Sequence, residues 1–302
     1  MPTAKNVVVG LGELLWDMFP AGKQLGGAPA NFAYMTSLLG DRGVVASRVG
    51  KDRLGNGAGR RLARLGLSYS SLQGDLEHPT GTVKVEVDSS GQPTFEITEG
   101  VAWDFFEWST QWRLLAEQAD AVCFGSLAQR TAQSRETIRA FLSALRPKAV
   151  RIFDVNLRQK FFSAEILASS AKLAHIMKLN HEELPRVAEL LGYPARSKRD
   201  AASWLLHKFD LKLVCVTCGS QGSLLVGEKS THRHKGFPTV VADTVGAGDA
   251  FTAALVHHYL RGASLKDMNE AANRMGSWVA SQVGATPKPD LKILRAVRFS
   301  QL

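Results

Sequence analysis

The feature that most limits the fold of this chain is an alternation of short apolar runs with longer stretches of helical periodicity. The runs are rich in β-branched residues and predict strands at 6–10, 44–47, 121–125, 151–155, 176–180, 213–217 and 223–226. The stretches between them predict helices at 30–39, 55–66, 109–119, 132–145, 183–191, 200–208, 249–261 and 265–282. Continuous apolar strands separated by helices are typical of parallel sheets that are buried on both faces. The expected fold class is therefore α/β, a doubly wound, three-layer fold with one mostly parallel sheet between two layers of helices.

One segment, "PTGTVKVEVDSSGQPTFEIT" at 79–98, breaks this rhythm. Val83, Val85 and Val87 alternate with polar residues, "DSSGQP" is a turn signal, and Phe95 and Ile97 alternate again after it. The pattern predicts an antiparallel hairpin inserted into a parallel fold. Such a hairpin is either a decorated sheet edge or a flap that covers a site and excludes water. The irregular residues around 13–27 are candidates for its neighbour.

Length and composition bound the class of protein. The 302 residues, 45% of them apolar, suffice for one large α/β domain or two smaller ones. No apolar run reaches the length that spans a bilayer. The amino-terminal residues read as a first strand rather than a signal peptide, because they lack a small-residue cleavage site. We therefore expect a cytoplasmic protein without membrane partners.

The three cysteines, Cys123, Cys215 and Cys218, are too few for a disulfide framework. Cys215 and Cys218 form a C-x-x-C inside the β-type run "LVCVTCGS", where residues three apart point to opposite faces. A redox motif would instead lie where a strand gives way to a helix. Two small core-filling residues are therefore the better interpretation.

The net charge of +9 and the pI near 9.6 fit a nucleic-acid binder, and also an enzyme whose ligand carries several phosphates. Lysines and arginines are scattered, with only "HRHK" and "RSKR" as short clusters, and aromatic residues do not interleave with them. A generic basic surface is therefore favoured over a nucleic-acid-binding face.

Two glycine patterns resemble phosphate-binding loops but lack residues or spacings that those loops require. "GLGELL" offers Gly10 and Gly12 but lacks the third glycine of the dinucleotide fingerprint, and no helical pattern follows it. "GVVASRVGKD" separates Gly43 from Gly50 by six residues rather than four, and Asp52 stands where a P-loop needs Ser or Thr. Both are rejected as nucleotide sites.

The stretch "VADTVGAGDAF" at 241–251 is different, because a helical pattern begins directly after its glycines. A helix start offers unpaired amides and the positive end of a dipole, and Gly246 and Gly248 would let an anion approach that backbone closely. Asp249 in the first turn could accept a proton from a hydroxyl while the amides stabilise charge on a moving phosphoryl group. The plain alternative is a glycine turn followed by an ordinary capping aspartate.

With "DTVGAGDAF", the chain resembles the PfkB carbohydrate kinases of the ribokinase-like superfamily. The resemblance extends to "LGGAPANFA" at 25–33, "NHEE" at 180–183 and "VTCGSQG" at 216–222, and so spans most of the chain in the family's order. It implies a single ribokinase-like domain over 1–302, with a small β lid from segments at about 13–27 and 79–102. It also implies ATP and Mg²⁺ as cofactors.

By resemblance, Asp249 is the base that activates the sugar hydroxyl, and Gly246, Ala247 and Gly248, with the Asp249 amide, form the anion hole. The N-x-x-E motif implies that Asn180 and Glu183 organise the nucleotide and its magnesium, largely through water. The plain alternative is a helix-starting asparagine with a first-turn glutamate.

The resemblance places further residues around the two substrates. It places Thr217, Gly219 and Gly222 along the nucleotide and Asn273 beside the adenine. A potassium ion bound near Asp243 and 281–284 is a further implication.

For the sugar, the resemblance implies Asp17, Gly27 and Asn31 as hydroxyl-binding positions, and Phe95 and Ile97 as inward-facing residues of the lid. Arg158, just beyond the carboxyl end of a predicted strand, would contact the sugar or the phosphate, or simply pair with a surface acid. A lid edge that pairs between subunits would make a homodimer, although an exposed edge alone does not establish one.

The sugar is the least determined of these expectations. "GGAPAN" stands where ribokinase-type members carry "GGKGAN", and with "GELLWDMFP" and "ITEGVAWD" it resembles the fructokinase-like branch. Phosphorylation of fructose at its 6-hydroxyl is therefore expected first. A ketose already phosphorylated stays open because of the positive charge, and ribose or adenosine is the next alternative. A non-catalytic nucleotide-binding regulator of this fold is the rival class, although none of the motifs is broken.

Overall fold

The computed structural model describes residues 5–20, 22–87 and 93–298, except that it leaves out the side chains of 85–87 and 93–95. Its strands are β1 (Val7–Leu11), β2 (Leu15–Phe19), β3 (Gly22–Gly26), β4 (Arg42–Gly50), β5 (Leu72–Asp75), β6 (Gly81–Val87), β7 (Pro93–Ile97), β8 (Ala121–Phe124), β9 (Val150–Asp154), β10 (Ile176–Asn180), β11 (Leu213–Thr217), β12 (Ser223–Gly227) and β13 (Thr231–His234). Its α-helices are α1 (Ala28–Leu38), α2 (Arg53–Arg64), α3 (Thr110–Gln118), α4 (Ala132–Ser143), α5 (Ala164–Leu173), α6 (Glu183–Leu190), α7 (Lys198–Lys208), α8 (Ala247–Tyr259), α9 (Leu265–Ala280) and α10 (Leu291–Arg298). Short 3-10 turns lie at Ala102–Phe105, Leu127–Gln129 and Gly219–Gln221.

The large sheet has the order β13-β12-β11-β10-β9-β8-β1-β4-β5. Strands β5 through β11 in this order pair in parallel, whereas β12 and β13 add an antiparallel edge. One hydrophobic core lies on each face: α3 to α7 cover one face, and α1, α2, α8, α9 and α10 cover the other. The predicted three-layer α/β fold is confirmed.

The hairpin at 79–98 is confirmed as an antiparallel pair, β6 with β7. It belongs to a second, four-stranded sheet of order β3-β2-β6-β7, in which β2 and β6 pair in parallel. The irregular residues around 13–27 thus form the strands β2 and β3 beside it. The small sheet stands over the carboxyl end of β1, where it can cover whatever binds there.

Sequence patterns missed α5, α10, β5 and β13, and they described β2 and β3 only as an irregular neighbour of the hairpin. The buried face of α5 includes Ser170 and Ala171, so its periodic contrast is weak. Helix α10 is only 8 residues long, and β5 ("LQGD") and β13 ("THRH") carry polar residues at a sheet edge. Edge strands need no continuous apolar run, because one side of their backbone lies at the sheet boundary.

The two cysteines of the C-x-x-C lie on opposite sides of the large sheet. Cys215 is buried in the core beneath α1, α8 and α9, and Cys218 packs against the core of the other face. Burial raises the pKa of the Cys215 thiol, so it stays protonated. The core-filling interpretation is confirmed for this pair.

The rejected glycine patterns have structural explanations. A side chain at Gly10 would collide with the backbone of Pro29 in the first turn of α1, and one at Gly43 would collide with the backbone of Ala33. Asp52, in the apparent P-loop, instead caps α2 by accepting a hydrogen bond from the Gly55 amide (2.7 Å). These glycines let α1 pack closely on β1 and β4.

Among the described residues, no helix is both long and apolar enough to cross a membrane.

Candidate active site

A large cleft opens at the carboxyl ends of the parallel strands. Consecutive strands lead away from β1 in both directions, to β4 on one side and β8 on the other, and this reversal leaves a crevice between strand ends. The cleft encloses about 2300 Å³, which exceeds the roughly 300–1000 Å³ of a pocket for one small molecule. It therefore has room for two ligands, and α8 begins inside it.

The start of α8 explains the glycines of the GAGD motif. Gly246 caps the helix in the left-handed conformation, with φ of 78°, and a Cβ there would lie 2.5 Å from the Cβ of Ala285. The amide of Ala247 donates to the carbonyl oxygen of Thr244 (3.2 Å), whereas those of Gly246, Gly248 and Asp249 have no acceptor within the described residues. Free amides at a helix start form an anion site. Because its amide is already bonded, Ala247 does not donate to an anion at this site and only separates the two glycines.

Asp249 is held by a residue from the other end of the chain. Asn31 Nδ2, in the first turn of α1, donates to Asp249 Oδ2 over 2.9 Å. Burial, together with the Asp154 carboxylate, raises the pKa of Asp249 to about 6, although the Asn31 hydrogen bond, Lys178 and Arg158 each lower it. Such a carboxylate is ionised at neutral pH and basic enough to accept a hydroxyl proton in a transition state.

Beneath the anion site lies a buried ion pair that sequence reasoning missed. Lys178 Nζ contacts Asp154 Oδ1 at 3.0 Å, and both side chains are about nine-tenths buried. Thr252 Oγ1 lies within hydrogen-bond distance of Asp154 Oδ2 (3.1 Å) and of the Gly248 carbonyl (2.9 Å). Burial lowers the pKa of Lys178, but Asp154 and Glu183 outweigh it and hold that pKa above its usual range. Nζ lies 3.1 Å from where a Gly248 Cβ would stand, so a permanent positive charge adjoins the amides.

Two further carboxylates line the cleft on the lid side. Asp17 on β2 has its pKa raised to about 6, mainly by burial. Burial raises the pKa of Glu13 to about 7, against its hydrogen bonds with the amides of Glu13 and Ala28. A side chain at Gly27, where φ is 111°, would collide with the Glu13 carbonyl, so this glycine allows α1 to begin beside the acids. Glu13 was not predicted as a site residue.

Arg158 faces these acids from a strained turn after β9. Asn156 and Gln159, on either side of it, both adopt positive φ values, 42° and 47°, which are uncommon outside glycine. The guanidinium is exposed, lines the cleft and lowers the pKa values of Glu13, Asp17 and Asp249. Arg158 therefore acts on acids inside the cleft, and not as the partner of an acid elsewhere on the protein surface.

The lid contributes apolar side chains to the same cavity. Val83 and Ile97 are opposite each other in the β6–β7 register, are buried, and line the cleft. Asn31, with its amide committed to Asp249, has a buried Oδ1 without a partner among the described residues. That oxygen is an acceptor available to a hydroxyl donor. The Phe95 backbone pairs with Val85, and its side chain lies outside the described part of the chain.

The N-x-x-E motif forms the reciprocal hydrogen bonds of a helix start. Asn180 Oδ1 accepts from the amides of Glu182 (2.8 Å) and Glu183 (2.9 Å), while the Glu183 carboxylate accepts from the amides of Asn180 and Leu157, each at 2.8 Å. Asn180 lines the cleft, whereas Glu183 is buried behind it. The capping alternative is thus present in the structure, and a magnesium role for Glu183 stays a prediction.

The four predicted nucleotide contacts, at the end of β11, in the turn after it and on α9, differ in whether they reach the cleft. Thr217 and Gly219 line the cleft. Gly222, with φ of 80°, adjoins the backbone of 234–236, where a side chain would collide. Asn273 is buried, and its amide donates to Ser223 Oγ (2.7 Å) and to the Asn269 carbonyl (2.7 Å). Gly222 and Asn273 therefore shape the wall behind the cleft in this structure, and their contact with a nucleotide stays a prediction.

The loop before α8 is fixed by Asp243. Its carboxylate accepts from the amides of Val245 (3.0 Å) and Gly284 (3.0 Å), which ties this loop to 283–286.

Among the described residues, no cluster of three or more His, Cys, Asp or Glu could hold a metal alone. Mg²⁺ usually takes one or two protein carboxylates together with waters and phosphate oxygens. Asn180, which lines the cleft, and Glu183, buried behind it, stay the predicted protein side of a site for magnesium that arrives with nucleotide phosphates.

The missed residues had weak signals in the sequence. Lys178 is a charged residue inside the apolar run "IMKLN", and Asp154 is an acid at the carboxyl end of "RIFD", a strand that also contains Arg151. Their pairing follows from the β9–β10 register, in which Asp154 and Lys178 are partners. That register is not visible in either segment alone.

Comparisons with known proteins agree with this geometry. Residues 12–291 match the model of the pfkB family carbohydrate kinases. A fructokinase of Escherichia coli is 28% identical over 260 residues, which cover 82% of each chain. A protein of Pyrococcus horikoshii named as a sugar kinase is 28% identical and covers 94% of each chain.

Solved structures show the same architecture. The Pyrococcus horikoshii protein in complex with ATP superposes with a TM-score of 0.82 over 96% of this chain and 99% of that one, at 26% identity. A fructokinase of Vibrio cholerae with fructose, ADP and calcium superposes with a TM-score of 0.80 over 97% of this chain and 98% of that one, at 25% identity. With most of its length matched by the family model, this chain belongs to the pfkB family of carbohydrate kinases.

Proposed function

We propose that the protein transfers the γ-phosphoryl group of ATP to a hydroxyl of a ketose, with fructose as the reference acceptor and fructose 6-phosphate as its product. The observation that carries the proposal is the Asn31–Asp249 hydrogen bond at the start of α8, beside free backbone amides. A base and an anion site thereby lie together in a cleft large enough for both substrates.

In the proposed reaction the Asp249 carboxylate accepts the proton of the attacking sugar hydroxyl. The hydroxyl oxygen forms a bond to the γ-phosphorus as the bond from phosphorus to the bridging oxygen breaks, and ADP leaves. The proton passes to solvent when product departs. Magnesium on the nucleotide would neutralise phosphate charge during transfer.

The chain's own residues would stabilise the moving phosphoryl group. The amides of Gly246, Gly248 and Asp249 would donate to its oxygens, and Lys178 would supply positive charge from below. Asn31 orients Asp249 through Nδ2, and its Oδ1 would accept from a sugar hydroxyl. Asp17 would accept a hydrogen bond from a further sugar hydroxyl, since an ionised carboxylate offers only acceptors. Val83 and Ile97 would exclude water when the lid covers the sugar.

The test is release of ADP from Mg-ATP in the presence of fructose, ribose, glucose, fructose 6-phosphate or adenosine. Release with fructose or another ketose supports the proposal, whereas release only with ribose, glucose or adenosine keeps phosphoryl transfer and contradicts the ketose. Release should vanish in Asp249→Asn. The matched control for that variant is Asp267→Asn, because Asp267 lies in the first turn of the neighbouring helix α9, outside the cleft. No release with these acceptors, nor with fructose 1-phosphate or 2-ketogluconate, despite ATP binding by calorimetry, would favour the non-catalytic regulator.

A further inference from the structure

Helix α2 lines the cleft with four arginines, Arg53, Arg60, Arg61 and Arg64. Positions 53, 60 and 64 repeat at i, i+7 and i+11, which places them along one face of the helix, with Arg61 adjacent. The buried face is formed by Gly55, Ala58 and Leu62. We refer to these four arginines as the arginine row.

The arginine row has no acidic partner among the described residues. Arg61 Nη2 lies 3.4 Å from Thr286 Oγ1, and the others make no hydrogen bond or ion pair to the described part of the chain. The first turn of α2 contains no acidic residue. Arg158, by contrast, faces the acids of the cleft. Within the described part of the chain, no ion pair neutralises the row, although the capping carboxylate of Asp52 directly precedes Arg53.

Helix stability does not account for the row. Arg61 and Arg64 lie in the last turn, where a cation interacts favourably with the helix dipole. Arg53 is the first residue of the helix, where a cation is unfavourable, and Arg60 and Arg64 are like charges at i, i+4. An anion bound along the face would relieve both repulsions.

The position of the row identifies which ligand the anion belongs to. At one end of α2, the Leu54 carbonyl accepts from Trp16 Nε1 on lid strand β2 (3.0 Å). At the other end, Arg61 contacts Thr286, whose neighbour Ala285 packs against Gly246 of the anion site. The row thus extends from the lid to the point of phosphoryl transfer. Thr217 and Gly219, on the predicted nucleotide side, lie at the carboxyl end of a different strand, β11, and just after it.

Lys23 adds a fifth positive charge from the lid. Its Nζ lies 4.9 Å from the centre of the Trp16 ring, and the side chain lines the same cleft. An anion between the lid and α2 would therefore meet cations from two directions. Guanidinium groups bind phosphate and carboxylate with paired hydrogen bonds, which neutral hydroxyls cannot match.

We propose that the arginine row is a binding subsite for an acidic group on the acceptor, so that the preferred substrate is a ketose bearing a phosphate or a carboxylate rather than free fructose. The inference rests on the proposed kinase function and narrows its substrate class. Phosphate and carboxylate share the required chemistry, because each presents negatively charged oxygens to which one guanidinium donates two parallel hydrogen bonds.

Binding measurements test the subsite without requiring turnover. Calorimetry with fructose, fructose 1-phosphate, fructose 6-phosphate and 2-ketogluconate compares a neutral ketose with two phosphates and a carboxylate. We expect one acidic ketose to bind at least about tenfold more tightly than fructose, because a hydrogen bond to a charged group contributes that much or more. Equal or weaker binding of all acidic ketoses would overturn the inference. The better of the phosphate and carboxylate arms identifies the acidic group.

Variants assign the effect to the row. In Arg60→Gln/Arg64→Gln, affinity for the acidic ketose should fall about tenfold or more while affinities for fructose and Mg-ATP stay unchanged. Arg113→Gln is the matched control, because Arg113 is an exposed helical arginine outside the cleft. An equal loss of ATP affinity would show that the row serves the nucleotide and would overturn the assignment. Absence of ADP release with preserved binding of the acidic ketose would instead contradict the kinase function alone.

Discussion

Asn31 and Asp249, 218 positions apart in sequence, are joined by a 2.9 Å hydrogen bond between the first turns of α1 and α8. Each helix begins at a glycine with positive φ, Gly27 at 111° and Gly246 at 78°. These glycines bring two helix starts to the same place above the strand ends. The bond therefore connects the predicted sugar-binding motif to the predicted base.

Replacing the base should abolish turnover without unfolding the protein. In Asp249→Asn the side chain keeps an oxygen that can accept from Asn31 Nδ2, so the fold should persist. Because general-base catalysis contributes about 10²–10⁴-fold, we expect kcat to fall by at least that range. ADP release measures the loss, and circular dichroism checks the fold. A variant with near-wild-type kcat would exclude Asp249 as the base.

The pH dependence should follow the same carboxylate. With the pKa of Asp249 raised to about 6, the base is protonated and inactive at lower pH. We therefore expect kcat/KM to fall about tenfold per pH unit below pH 6 and to level off above pH 7. Asp17, whose pKa is also raised to about 6, requires a control. The acid limb should persist in Asp17→Asn, and its disappearance there would assign the limb to Asp17.

The buried acid Glu13 should make folding stability depend on pH. Its pKa is about 7 in the folded protein and 4.5 in the unfolded chain, so the folded state binds the proton more tightly between these values. The free energy of unfolding should therefore decrease as pH rises from 4.5 to 7, by on the order of 3 kcal/mol. Glu13→Gln should remove this contribution and leave only the decrease that the raised pKa values of Asp17 and Asp249 produce up to about pH 6. Urea denaturation at pH 5 and pH 8 compares the two proteins, and parallel pH profiles would contradict the assignment.

Substitutions in the Lys178–Asp154 pair should distinguish a structural role of the pair from a catalytic role of Lys178. Lys178→Met leaves the Asp154 carboxylate buried without its partner, which should cost about 3–5 kcal/mol of stability. Lys178→Met/Asp154→Asn removes both charges and should recover most of that stability. If Lys178 also stabilises the phosphoryl group, kcat in the double variant should stay at least about tenfold below wild type. Recovery of both stability and kcat would assign the pair to folding alone.

Glu183 offers a test of the magnesium prediction. Glu183→Gln leaves one of the amides of Leu157 and Asn180 without its acceptor, so we expect a loss of about 1–3 kcal/mol in stability. If the carboxylate also organises magnesium through water, the magnesium concentration for half-maximal rate should rise. An unchanged magnesium titration in a destabilised variant would leave Glu183 with the capping role only.

Local patterns predicted much of the fold because they report local physics. The parallel strands, the hairpin at 79–98 and the glycine-led start of α8 each depend on residues a few positions apart. Elements with weak local contrast were missed, such as α5 with its buried serine and alanine. The chemistry expected of Asp249 likewise followed from a carboxylate beside glycines at a helix start.

The amino-acid sequence by itself determined the layers of the fold, the position of the helix that carries Asp249, and the family resemblance. Only the tertiary structure decided which distant residues meet. It paired Lys178 with Asp154 through strand register, buried Glu13 beside α1, occupied both Glu183 oxygens with backbone amides, and placed the arginine row along the cleft. These relationships depend on burial and on the register of strands far apart in sequence. The energies of such long-range contacts arise only when the chain is folded, so no local pattern records them.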